Sequence, residues 1–184
     1  MKVINFLGAP SYGKSTAAYN LVGIMKEKGY KVDIILEYPK KLIWTGCENL
    51  LKDQLHVFSE QNLALTYLKD KLDYVIVDSP LILCYLYAKD HYKFNPLPES
   101  FFNMVIDVFN MYDNEIILMN KKHDFENFGR NHNEFESNQK QNEIIEFLKL
   151  HNLPYKNFDS VDKDNSLPYN QRLFEFCVQN KIII

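Results

Sequence analysis

At 184 residues, with 46% hydrophobic and 14% aromatic content, the chain is long enough for one globular domain with a sizeable core. Its formal net charge of −3 argues against a generally basic nucleic-acid surface, and its longest unbroken apolar run, Leu81 to Ala88, is too short to span a bilayer. Met1 leads straight into an apolar run, so a signal peptide is not expected, and the three cysteines, Cys47, Cys84 and Cys177, form no C-x-x-C pair. A membrane anchor, a disulfide framework and a cysteine zinc site are therefore not expected, and a reducing cytoplasm is.

Lys2 to Leu7 reads as a first strand, and Ser15 to Lys28 as a helix with Ala18, Leu21, Val22 and Met25 at helical spacing. Between them Gly8-Ala9-Pro10-Ser11-Tyr12-Gly13-Lys14-Ser15-Thr16 fits G-x-x-x-x-G-K-[ST] without insertion. Strand, loop and helix in that order form a phosphate-binding loop: backbone N–H groups wrap the phosphates, Lys14 reaches the β and γ oxygens, and the Ser15 hydroxyl sits on Mg²⁺. The helix N-terminus adds free N–H groups and a positive dipole end. Lys31 to Leu36 is a second strand, one tight Gly29-Tyr30 turn later. The resulting βαβ unit places Glu37 on the same sheet edge as the loop. Glu37 is a candidate acceptor of a substrate hydroxyl proton, and Trp44, the chain's one tryptophan, a candidate stacking face.

Glu48 to Lys71 reads as one long helix, with Gln61 a candidate for bidentate recognition of a base edge. Asp73 to Asp78 is a strand that is apolar at its centre and ends on a carboxylate, where a nucleotide-bound Mg²⁺ needs an acceptor. Leu81 to Lys89 and Glu99 to Met111 read as helices parted by a polar stretch, and Glu115 to Asn120 as a fourth strand. Lys121 to Ser137, polar and rich in Asn and His, reads as a lid. The chain has two arginines, Arg130 and Arg172, and Arg130 in that segment is the candidate to clamp the transferring phosphoryl group. His123 and His132 lack a third partner at ligand spacing and are not read as a metal site. A helix over Glu136 to Leu150, a short strand over Pro154 to Phe158, a loop over Asp159 to Ser166 and a helix over Leu167 to Lys181 complete the chain.

The phosphate loop together with Glu37-Tyr38-Pro39, Phe58-Ser59-Glu60-Gln61, Asp78-Ser79-Pro80-Leu81 and Gly129-Arg130-Asn131 resembles the small phage-encoded P-loop kinases of the thymidylate-kinase-like group, which include kinases of 5-hydroxymethyluracil in DNA. Deoxynucleoside kinases are similar in a looser way, but carry an arginine after the acid where this chain has Asp78-Ser79-Pro80. The resemblance implies an α/β fold of P-loop NTPase type, with a parallel five-stranded sheet in the order 2-3-1-4-5, helices on both faces and a lid. It implies ATP as donor with Mg²⁺, and a host-cell cytoplasmic setting if the chain is phage-encoded. The acceptor read from Glu37, Trp44 and Gln61 is a hydroxyl on a nucleoside, a nucleotide or a 5-hydroxymethylpyrimidine in DNA, with Lys40, Lys41, Lys89, Lys93, Lys121 and Lys122 near the cleft mouth. Arg130, Lys14, Glu37 and Asp78 are the expected catalytic set, Ser15 and Asp78 the metal pair, and a dimer the expected assembly. The alternative is a P-loop ATPase or nucleotide-dependent switch without a small-molecule acceptor.

Overall fold

The computed structural model describes residues 1–91, 97–120, 134–160 and 166–184. These form a five-stranded parallel sheet, β1 (Lys2–Leu7), β2 (Val32–Ile35), β3 (Tyr74–Val77), β4 (Asp113–Asn120) and β5 (Lys156–Asp159), in the spatial order 2-3-1-4-5. Central β1 pairs with β3 (Asn5 opposite Val77) and with β4 (Leu7 opposite Leu118). Both faces of the sheet are covered, which is why β3 is buried at every position and reads as a continuous apolar run.

The two-residue period of β1 divides the core. Val3 and Leu7 pack into one apolar cluster, and Ile4 and Phe6 into the other. Helices α1 (Lys14–Glu27) and α7 (Tyr169–Gln179) cover the Ile4 face through Leu21, Met25, Leu173 and Cys177. The Val3 face is covered by α3 (Gln54–Leu68), α4 (Leu83–His91), α5 (Glu99–Asn110) and α6 (Glu134–Leu150), with Phe58, Leu86, Val105 and Leu148 in the same cluster. Each of the fully buried side chains contributes about 1.5–3 kcal/mol relative to exposure. No helix among the described residues is long and apolar enough to cross a membrane.

Between β2 and α3 the structure departs from the sequence expectation. Tyr38–Trp44 is a short helix, α2, with Pro39 in its first turn, where the missing N–H is no loss. The single long helix expected over Glu48 to Lys71 is instead a 3-10 turn, Glu48–Lys52, followed by α3. Asp53 makes the break: its side chain accepts the His56 backbone N–H at 3.0 Å and so starts a new helix. The strand β4 begins at Asp113 rather than Glu115, and α6 at Glu134 rather than Glu136. Most of the expected lid, with Lys121, Lys122, His123, Arg130 and His132, lies outside the described residues, as does Lys93.

Candidate functional site

The loop from Gly8 to Gly13 joins β1 to α1 and adopts a conformation that requires particular residues. Gly8 has φ 156°, and a Cβ there would stand 3.2 Å from the Tyr12 Cβ and 3.4 Å from that of Met119. Gly13 has φ 79° and precedes the first turn of α1. Ser11, also left-handed at φ 67°, carries a side chain in a region where such residues are uncommon, as ligand-binding loops often do. Lys14 Nζ donates to the Ala9 carbonyl at 3.1 Å, so its ammonium group lies against the loop. Thr16 is exposed in the first turn of α1.

Ser15 and Asp78 come together although 63 positions separate them: the Ser15 hydroxyl donates to Asp78 Oδ2 at 2.7 Å. Parallel pairing of β1 with β3 brings the loop and the end of β3 to the same edge. Asp78 is 2% exposed, and its Oδ1 has no hydrogen-bond partner among the described residues. An orphaned buried carboxylate oxygen carries its full desolvation cost, and an oxygen pair of this kind is the hard donor set that Mg²⁺ prefers. The residues present therefore fit the cation that the loop spacing implies. Asp78→Asn should raise the Mg²⁺ concentration needed for half-maximal activity about tenfold or more, since an anionic oxygen is lost while shape is kept. An unchanged Mg²⁺ titration would make Asp78 a structural acid.

Beside this pair opens a cavity of about 600 Å³. Ser15 and Asp78 line it together with Glu37, Trp44 and Gln61, so the three expected acceptor-side residues share one space with the expected metal pair. Glu37 is half-buried two residues past β2, directly before α2. Burial, with the Glu37 and Asp90 carboxylates nearby, pushes the Tyr87 phenol well above its ordinary range and keeps it protonated. Trp44 is 73% exposed on α2, and Tyr19 and Tyr67 are exposed along the same lining. Lys40 and Lys41 also line the cavity, whereas Lys89 lies over the Tyr85 ring at 4.7 Å and does not. Helix α2 is tied to α3 by a 2.9 Å hydrogen bond between the Tyr38 hydroxyl and His56 Nε2.

Gln61 is 4% exposed and already engaged: its Nε2 donates to the Ser79 carbonyl at 3.2 Å, and its Oε1 accepts from the Cys84 thiol at 3.3 Å. A carbonyl can only accept, so Ser79 fixes which end of the amide is nitrogen. Burial pushes the Cys84 thiol up to about 12 and keeps it a donor. One N–H and one lone pair of the amide are left for a ligand edge.

Sequence reasoning passed over the support behind the loop. Gln141 Oε1 accepts the Ala9 N–H, Ser137 Oγ donates to the Pro10 carbonyl, and the Tyr12 hydroxyl donates to Asn138 Oδ1. The signal was present as a continuation of the inward stripe of α6: Ile144 and Leu148 extend backwards to Gln141 and Ser137, all buried. Lys140 adds a tie from α6 to α4 through Asp90, and also pairs with Glu143. Burial opposes its charge, but the two carboxylate bonds prevail and raise its pKa. Arg172 is committed at the far edge of the sheet, donating to the Ser160 carbonyl at 2.7 Å and lying over the Phe158 and Tyr169 rings.

No protein-family model matches the chain, and no curated protein sequence matches it. Among solved structures, the chain is similar to a deoxyadenosine kinase from M. mycoides, solved with dCMP and a flexible dCDP bound, at 19% identity, 100% coverage of each chain and a TM-score of 0.60. It is similar to the thymidylate kinase from Ehrlichia chaffeensis at 13% identity, 98% coverage of each chain and a TM-score of 0.62. The M. mycoides enzyme with dCTP bound gives 19% identity, covering 99% of this chain and 98% of that one, with a TM-score of 0.56. The chain thus has the P-loop fold seen in nucleoside and nucleotide kinases, with its five parallel strands in the order 2-3-1-4-5.

Proposed function

We propose that the chain is an ATP-dependent kinase that transfers the γ-phosphate to a hydroxyl of a nucleobase-bearing acceptor. The observation that carries this reading is the shared cavity, in which Glu37 and Trp44 stand across one space from Ser15 and Asp78. A P-loop ATPase or switch has no need of such an acceptor space beside its phosphate loop. In the proposed reaction the acceptor oxygen forms a bond to the γ-phosphorus as the bond to the β-phosphate oxygen breaks, ADP leaves, and the hydroxyl proton passes to the Glu37 carboxylate. Lys14 and the loop N–H groups hold the phosphates in line. Ser15 and Asp78 would hold Mg²⁺, which would supply charge neutralisation to the phosphates.

Arg130 is proposed as the guanidinium that closes on the transferring group, supported by the commitment of Arg172 to the Ser160 carbonyl. Arg130→Lys keeps charge but loses the planar fork. The variant should lower kcat by about tenfold or more and leave ATP affinity near wild type; the reverse pattern would reassign Arg130 to binding.

A cavity of about 600 Å³ suits a nucleoside or nucleotide. The similarity to a deoxyadenosine kinase and a thymidylate kinase supports a free acceptor of that class. A second reading, a 5-hydroxymethylpyrimidine held in DNA, is supported by the open rim: Tyr19, Trp44 and Tyr67 are exposed stacking faces beside Lys40 and Lys41, as in surfaces that take a base from a strand. Phosphate transfer from labelled ATP to each acceptor at rising salt separates them. Transfer to DNA should fall steeply with salt and transfer to a free nucleotide only slightly. Transfer to neither, with ATP hydrolysis intact, would overturn the kinase reading in favour of an ATPase or switch.

A further inference from the structure

We infer that Gln141 is a positioning residue that shapes the phosphate loop from behind, with Ser137 as its second point of support; the inference rests on the reading of that loop as the ATP site. Gln141 is 6% exposed, and its amide bridges two elements: Oε1 accepts the Ala9 N–H at 2.8 Å, and Nε2 donates to the Met119 carbonyl at 3.2 Å. The Met119 carbonyl accepts only, so the amide has one orientation. It links the end of β4 to the second residue of the loop.

Positions 137, 138 and 141 lie on one face of α6 and meet loop residues 10, 12 and 9 respectively. Ser11, the side-chain-bearing residue held at φ 67°, lies between Pro10 and Tyr12, both of which α6 grips. A backbone in that region persists where its surroundings over-determine it, and here three side chains of one helix do so. Helix α6 is itself fixed through Lys140 to Asp90. Ala9 is fully buried, so loss of Gln141 leaves its N–H without the partner it now has. The loop then relaxes, and its N–H groups meet phosphate less well. Such a loss falls on phosphate binding and spares contacts to the base or ribose.

The test measures binding of the β,γ-imido analogue of ATP with Mg²⁺, and of adenosine, to wild type, Gln141→Met and Ser137→Ala. Methionine keeps the length of the side chain without its hydrogen bonds, and alanine in a helix interior leaves α6 intact. One buried hydrogen bond is worth about tenfold, so Gln141→Met should weaken the analogue by about tenfold or more, Ser137→Ala by somewhat less, and neither should change adenosine. Circular dichroism melts record whether each variant is folded; if Gln141→Met is not, Ser137→Ala decides. Wild-type analogue affinity in the folded variants would overturn the inference, as would equal weakening of adenosine. Failure of wild type itself to bind the analogue would overturn the reading of the loop, and the inference with it.

Discussion

Replacing Lys14 by alanine should lower phosphoryl transfer about 10²–10³-fold while leaving the melting temperature near wild type. The size follows from the chemistry: phosphoryl transfer offers the protein little covalent work, so positioning and charge carry the rate, and a preorganised donor aimed at developing charge is worth about that factor. Lys14 is preorganised in this sense, half-buried and lying against its own loop through the Ala9 carbonyl at 3.1 Å. Stability should be spared because Lys14 opens α1, where alanine is at least as good a helix former. Single-turnover transfer from labelled ATP, with a thermal melt on the same sample, checks both halves. Near-wild-type turnover would remove the phosphate loop from the mechanism.

Glu37→Gln should lower transfer by about 10²–10⁴-fold with ATP binding retained, the range that general-base assistance commonly supplies. Glutamine keeps the shape and the hydrogen-bonding reach of the side chain but cannot take the proton at neutral pH. The position makes the test specific. Glu37 lies between β2 and α2 and lines the cavity with Ser15 and Asp78, yet it belongs neither to the Gly8–Gly13 loop nor to the Ser15–Asp78 pair. ATP affinity measured alongside the rate separates loss of chemistry from loss of donor binding. A rate within about twofold of wild type would assign proton acceptance elsewhere.

The fold around the loop was readable in the sequence because its parts are local or terminal to strands. The loop spacing is a single unbroken motif, and Asp78 follows an apolar run whose end falls on the ligand edge of any parallel sheet of this kind. The sheet order came from the likeness of scattered motifs to known kinases, and the pairing bears it out. What stayed hidden depends on contacts between distant positions. Nothing near Gln61 in sequence announces Cys84 or Ser79 as its partners. The Gln141 support spans 132 positions and was masked by the polar character of the segment around it. Two misses were local and legible: Asp53 is a helix-starting residue inside a run taken as continuous, and Pro39 marks the first turn of a helix in a stretch to which no element was assigned.

The two walls of the cavity beside Ser15 and Asp78 are anchored very differently. Five of the six residues of β1, which delivers the phosphate loop, are buried, whereas α2, which carries Trp44, has Leu42 as its one buried residue. Opening of α2 exposes little apolar surface, so its amides should exchange with solvent through small local excursions, while those of β1 wait for global unfolding. The same asymmetry makes the molecule tolerant on one side and intolerant on the other. On the proposed function, replacements along α2 would alter which acceptor is held at little cost in stability, whereas replacements beneath the loop would threaten the fold, so substrate range would be free to drift around a fixed donor chemistry.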